Sequence, residues 1–291
     1  MPITFNMILK AEGIDPADVR VARHHDTRPE CKIAPYGLWR RDPTLFEKYQ
    51  GIQGKDRFPV GKLLASFVRT PSDKTLFVGL YAVNGKGVTG EHEIDPCSGL
   101  PVPGLVLYDT SRDDRLKDMR GRLVVDWGKG YLAWHQRANK NDKRVIELLR
   151  DPEDEPFPGY FAFRCRLSEL ADVPLTWKAQ LRAAKGVYVL TSATTREHYV
   201  GSATGRGGFF ERWSQHAKAG GDAVAFRTLA PSEYQVSILQ VSAGFETDED
   251  ILRTEHAWME KLQSRSRGIN GNPPAVATQR EPQSTSGVVV L

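Results

Sequence analysis

The nine residues Asp151-Pro-Glu-Asp-Glu-Pro-Phe-Pro-Gly159 constrain this chain most. Proline lacks an amide hydrogen and fixes φ, so the segment can continue neither a helix nor a central strand. It is an ordered loop or a linker, and it divides a chain of 291 residues that is comfortable for two domains. Just beyond it, Tyr160 to Leu167 reads as a strand that returns to the first part, which places the boundary near Val173. Residues 1–173 and 174–272 are then expected to form two domains. Residues 273–291 are poor in large apolar side chains and rich in Pro, Gln, Ser and Thr, the composition of a mobile tail.

The two parts carry different patterns. In the first, Leu63–Val68 and Leu76–Val83 are apolar runs around Thr70-Pro-Ser-Asp-Lys74, a hairpin signal. Leu123–Val125 and Tyr131–Trp134 flank Gly128-Lys-Gly130 and read as a second pair. This part is β-rich and could close into a small barrel. After Val173 the order changes to a short helix at Trp177–Ala184, strands at Gly186–Leu190 and His198–Gly201, and a helix from Gly205 to Lys218 closed by Gly220-Gly221. A strand at Tyr234–Val241 follows, then a helix capped by Thr247 with an acidic first turn, running to about Gln263. The fold class is α+β.

Composition excludes more than it assigns. The apolar and charged fractions, 40% and 26%, are those of a globular protein and exclude the disordered and membrane classes. No stretch approaches the roughly twenty apolar residues of a membrane span. Cys31, Cys97 and Cys165 are far apart and form no C-x-x-C pair, which argues against a disulfide framework and against a zinc site, and fits a reducing, cytoplasmic setting. The net charge of +4 is mild, but basic residues outnumber acidic ones from Arg112 to Arg150, with Trp127, Tyr131 and Trp134 interleaved. Such a mixture suits a phosphate-binding face with stacking rings, or else a solvated surface around core aromatics.

Glu255 is the most informative single position. Ile251, Leu252, Trp258, Met259 and Leu262 form an apolar stripe at helical spacing, and Glu255 lies inside it. An inward carboxylate needs a partner or a metal. An arginine salt bridge, or a stripe edge still in water, would satisfy it equally well. Arg212 and His216, four residues apart, share a helix face, as a phosphate grip and a proton carrier would, and as an idle exposed pair would too. Tyr188 and Tyr199 lie on adjacent strands and could share a sheet face, for chemistry or for packing alone.

Taken in order, Gly186-Val-Tyr188, Tyr199-Val-Gly-Ser202, Arg212-x-x-x-His216, a third strand, an inward Glu255 and a later Asn270 resemble the GIY-YIG nuclease superfamily. The resemblance spans about Trp177 to Asn270. It implies a three-stranded antiparallel sheet flanked by helices, and hydrolysis of DNA phosphodiesters with a divalent ion, Mg2+ or Mn2+. It casts Glu255 as the protein's metal ligand and Arg212 as the holder of the scissile phosphate. Tyr188 would help deprotonate the attacking water, which requires nearby positive charge to favour phenolate. His216 could share or take over base duty. Tyr199 and Asn270 would orient water, phosphate or Glu255. Gly201 would keep the strand uncluttered, and Ser202 could bond a phosphate oxygen. The loop before the Arg212 helix lacks the lysine that several members carry, and Arg206 or Arg196 would replace it.

Residues 186–270 have no basic excess, so affinity for DNA must come largely from elsewhere. The first domain is long enough to be the DNA reader. Its strands are loosely similar to PUA-like and EVE barrels, and Tyr36, Trp39, Trp127 and Trp134 could wall a pocket for a flipped base, or simply be core. The sequence therefore reads as a restriction or modification-dependent defence endonuclease, with DNA as partner, no membrane, and a dimer if both strands are cut. A structure-specific repair or recombination nuclease is the second reading. A catalytically inactive nucleic-acid-binding protein is the third.

Overall fold

The computed structural model describes residues 2–26, 28, 30–128, 133–150, 155–218, 234–266, 268 and 270. The first part contains helices α1 (Phe5–Ala11), α2 (Pro35–Arg41) and α3 (Pro43–Gly51). Its strands are β1 (Val19–His24), β2 (Ile52–Gln53), β3 (Leu63–Arg69), β4 (Thr75–Val88), β5 (Val106–Asp113), β6 (Leu123–Val125), β7 (His135–Arg137) and β8 (Val145–Leu148). They make one curled sheet in the order β2-β5-β4-β3-β1-β7, with β6 bridging β4 and β8. The β3–β4 hairpin forms where the alternating apolar runs predict it. Only β1 and β3 run parallel among the described pairs. Phe5, Phe67, Phe77 and Trp127 pack as a core on the sheet.

Two expectations for this part do not hold. Leu123–Val125 pairs with β4 and β8, not with the segment after Gly128; Tyr131 and the turn residues 129 and 130 lie outside the described residues. The cysteines also behave differently, since Cys31 and Cys97 are joined in a disulfide with Cα atoms 5.0 Å apart. Their separation of 66 residues hid this pairing, which depends on the loop after β1 meeting the loop after β4. Arg28 lies on both Asp26 and the Cys31 sulfur, so the cluster Asp26, Cys31 and Cys97 is already neutralised and cross-linked. Cys165 is free and buried.

The second sheet carries β9 (Arg164–Arg166), β10 (Gly186–Ser192), β11 (His198–Ala203) and β12 (Tyr234–Val241), in the order β11-β10-β12-β9. The three antiparallel strands expected from the sequence are its core. β9 is an addition: it joins β12 instead of returning to the first sheet, because Cys165 pairs with Val236 and sends its side chain into the second core. Helices α4 (Leu175–Ala183) and α5 (Gly208–Ala217) cover one face, with Trp177, Trp213, Phe209 and Phe163 in the core between. Helix α6 (Asp248–Lys261) covers the other through Ile251 and Met259 against Val187, Val189 and Val200. Its start is fixed by a reciprocal cap, in which Thr247 Oγ1 accepts from the Asp250 amide and Asp250 accepts from the Thr247 amide. Gly220-Gly221 and residues 273–291 lie outside the described residues.

The acidic Pro-rich segment is ordered at its end. Glu155 accepts from Thr70 Oγ1 at 3.1 Å, and its carbonyl accepts from Trp177 Nε1 at 2.8 Å. Arg41 grips Asp172 through two hydrogen bonds of 2.6 and 3.1 Å. Among the described residues, no helix is long and apolar enough to cross a membrane.

Candidate active site

Strand alternation sets up the site. Tyr188 is paired with Gly201, and Tyr199 lies two residues before Gly201, so both rings stand on the α5 face of the sheet. A Cβ on Gly201 would lie 2.6 Å from the Tyr188 hydroxyl oxygen. Glycine is required there because the Tyr188 ring crosses over the backbone of β11. Gly186 has a different reason: with φ of 147°, a Cβ would meet the Gln240 carbonyl oxygen at 2.1 Å, so only glycine lets β10 start this close to β12.

Helix α5 delivers the other two groups. Trp213 stands edge-on to Tyr188 at 5.8 Å and fixes the ring. One turn away, His216 Nε2 lies 2.6 Å from the Tyr188 hydroxyl, and the His216 ring is 5.8 Å from that of Tyr199. Arg212 Nη1 donates to Gln215 Oε1 at 3.3 Å, and its guanidinium acts electrostatically on both tyrosine hydroxyls. The Arg212 pKa is raised, because the two tyrosines outweigh the desolvation that pulls the other way. The Tyr188 hydroxyl and His216 Nε2 share a hydrogen bond whose donor is set by the histidine tautomer.

The protonation states differ from those a phenolate base would need. Burial pushes the Tyr188 phenol well above its usual value, and the neighbouring Tyr199 adds to this; Arg212 offsets only part of it. Tyr199 is raised by burial as well. His216 is lowered to about 4, first by burial and then by the Arg212 charge. At neutral pH the pair is therefore phenol and neutral imidazole, with histidine as the group free to take a proton.

Glu255 approaches from the opposite side. Ser202 pairs with Val187 and faces α6, where its hydroxyl donates to Glu255 Oε2 at 2.5 Å. Because β11 is the edge strand, Glu255 still acts electrostatically on both Tyr188 and Tyr199. Glu255 is 8% exposed and has no ion-pair partner among the described residues. Among the described residues no arginine bridges it, and at this burial it is no solvated stripe edge.

Asn270 has a role that the sequence did not reveal. Its side-chain oxygen accepts from the Val200 amide at 2.8 Å and its nitrogen donates to the Val200 carbonyl at 2.7 Å. The amide is thereby engaged with the β11 backbone next to Gly201 and Ser202. Ser202 likewise spends its proton on Glu255. Arg206 and Arg196 are exposed in the loops on either side of β11.

The four aromatics of the first part do not converge. Trp127 is core, with its indole N–H on the Ala133 carbonyl and Lys143 Nζ over its ring at 4.4 Å. Tyr36 and Trp39 sit together on α2 in a separate core cluster. Trp134 lines a cavity. The basic stretch is also no continuous face: Arg112 pairs with Glu47, Arg115 with Asp113, Arg120 with Asp114, Arg144 with Asp126, and Lys143 is buried.

A family model described as the GIY-YIG catalytic domain matches residues 184–270. Two solved structures of the catalytic domain of the intron-encoded homing endonuclease I-TevI, one of a mutant, also align. Each is 23% identical; they cover 30% and 29% of this chain and 92% and 95% of their own, with TM-scores of 0.26 and 0.25. No curated protein matches the chain. With two tyrosines, an arginine and a carboxylate gathered around the edge of an antiparallel sheet, residues 184–270 are a GIY-YIG nuclease domain.

Proposed function

We propose that the chain is a DNA endonuclease that depends on Mg2+ or Mn2+, works in restriction or modification-dependent defence, and uses the part built on the first sheet as DNA reader and the part built on the second sheet, β9 included, as cutter. The observation that carries this reading is Glu255, a buried carboxylate with no ion-pair partner among the described residues, beside two tyrosines and an arginine. Its donor set fits a hard divalent ion, which prefers a carboxylate, waters and phosphate oxygens. Glu255 would hold that ion, and the bound ion would polarise the scissile phosphate.

The chain's own groups supply the rest. Arg212 binds the phosphate and offsets the charge that grows on it. Tyr188 accepts the proton of the attacking water as its own proton passes to His216 Nε2, so a phenol of high pKa serves without ever standing as phenolate. Tyr199 shares Arg212 and holds it over the sheet, while Ser202 orients Glu255. Exposed Arg206 extends the positive charge toward the DNA.

The test is to incubate the purified chain with Mg2+ and unmodified, methylated, hydroxymethylated or branched DNA. EDTA-sensitive cutting of linear duplex, dependent on the modification, is the expected result. Preferential cutting of branched DNA would move the protein to repair or recombination, and absence of cutting on all four would leave a binding protein.

A pH profile examines the relay. His216 ordinarily titrates near 6.5 and here near 4. The acid limb of the cleavage rate should therefore fall near pH 4, and His216→Gln should lower the rate by about 10²–10⁴-fold. The same depressed pKa makes the unfolded chain take up the proton first, so this stability is complete above about pH 6.5 and is lost as pH falls toward 4. A cleavage rate and acid limb that His216→Gln leaves unchanged would remove His216 from the relay.

A further inference from the structure

The first part of the chain holds a cavity of about 460 Å3 that the nuclease chemistry does not use. Its size falls in the range of small-molecule sites, about 300–1,000 Å3. The cavity opens where β1 ends against α3 and β2. Half-buried Trp134 is an aromatic wall, held edge-on by Phe58 at 6.1 Å and standing 5.8 Å from the His24 ring. Both acids in the lining are already matched, since Arg28 Nη2 lies 2.7 Å from Asp26 and from Asp95. A cationic ligand therefore finds no free charge here.

His24 points to what does fit. It is 3% exposed, yet its Nε2 has no hydrogen-bond partner among the described residues. A buried polar atom left unpaired is costly, and the polar edge of a ligand would relieve it. Burial lowers the His24 pKa to about 3, so it meets that ligand as a neutral imidazole. Gln53 adds an amide whose nitrogen is anchored on the Gln50 carbonyl at 2.9 Å. An aromatic wall with a neutral imidazole and an amide at its edge suits a flat heterocycle carrying ring nitrogens and exocyclic groups.

A second observation concerns the same sheet face. Arg20 and Arg137 are direct cross-strand partners, and Ala22 opposite His135 continues that face to His24. Like charges placed opposite each other destabilise a sheet. Arg20 nevertheless has its pKa lowered, by desolvation and then by Arg137, and His135 feels both Arg57 and Arg20. None of the three arginines has an ion-pair partner among the described residues. Such a stripe beside Trp134 calls for an anion.

We infer that the cavity takes a nucleobase, stacked on Trp134 and edge-bonded by His24 and Gln53, with its phosphates on Arg20, Arg57 and Arg137. This rests on the reading of the part built on the first sheet as the DNA reader. The base could be one extruded from a duplex or one carried by a free nucleotide.

The experiment uses the full chain in EDTA, which suppresses cleavage, with two probes: a labelled duplex bearing one mismatched pair, whose base leaves the stack cheaply, and nucleoside monophosphates. The wild type should bind the mismatched duplex more tightly than the matched one. Trp134→Ala and Gln53→Ala should weaken the mismatched complex by about 5- to 100-fold and leave the matched one unchanged, measured below the melting transition of each variant. Quenching of tryptophan fluorescence by monophosphates, lost in Trp134→Ala, without any mismatch preference, assigns the pocket to a free nucleotide. Duplex binding that ignores the mismatch and both substitutions, with no monophosphate quenching, overturns the pocket and leaves the reader standing. Monophosphate quenching without duplex binding overturns the reader and leaves the pocket. Monophosphate competition on the wild type decides the matter if either variant fails to fold.

Discussion

Glu255→Gln should lower phosphodiester hydrolysis by at least about 10³-fold while leaving the fold and the binding of DNA in EDTA unchanged. Glutamine keeps the size of the side chain, and its carbonyl oxygen can still accept from Ser202, whose hydroxyl lies 2.5 Å from the native carboxylate. What it removes is the charge. Among the described residues that carboxylate has no arginine or lysine to balance, so its loss leaves no orphaned cation and the domain should melt at the native temperature. A fall in rate together with a fall in melting temperature would mean that Glu255 is a structural group. Cutting at the wild-type rate would remove it from the reaction altogether.

The second large effect is expected at Arg212. Arg212→Ala should lower kcat by about 10²–10³-fold, and Arg212→Lys should recover little of this, because an ammonium cannot serve both tyrosine hydroxyls and a phosphate with one planar fork. The substitution also changes a titration. Arg212 contributes to holding His216 near pKa 4, so removing it should shift the acid limb of the cleavage profile upward, toward but not reaching 6.5, since burial is the larger cause. A rate loss without that shift would place Arg212 on the phosphate but not beside the relay. An unchanged kcat would show that the phosphate is held by other groups, Arg206 being the first to examine.

Legibility in the sequence followed the range of the interactions. The β3–β4 hairpin, the capped helix α6 and the inward face of Glu255 all rest on neighbours within a few residues, where periods of 2.0 and 3.6 declare themselves. Tyr188 and Tyr199 share a face for the same reason. Residues joined over long distances were opaque. Cys31 and Cys97, 66 residues apart, carry no spacing signal, and β9 joins β12 although a three-residue strand has nothing local to say about its partner. The cavity around His24 leaves one visible sign in the sequence, the run Arg23-His24-His25-Asp26 at the end of β1. Protonation was the least legible property. The resemblance casts Tyr188 as a base on condition of nearby positive charge and leaves His216 as its alternative; burial around Tyr188 keeps the proton on the phenol and lowers the pKa of His216.

Asn270 has a consequence beyond the active site. β11 is the outermost strand of its sheet, and an outer strand offers amides and carbonyls on which a strand from another molecule can build. The Asn270 side chain occupies both groups of Val200 in the middle of that border, donor for acceptor and acceptor for donor. One amide thus imitates the first rung of a further strand and then ends it. The border stays open enough for Gly201 and Ser202 to meet a substrate, yet is closed to the sheet-to-sheet growth that leads to aggregation.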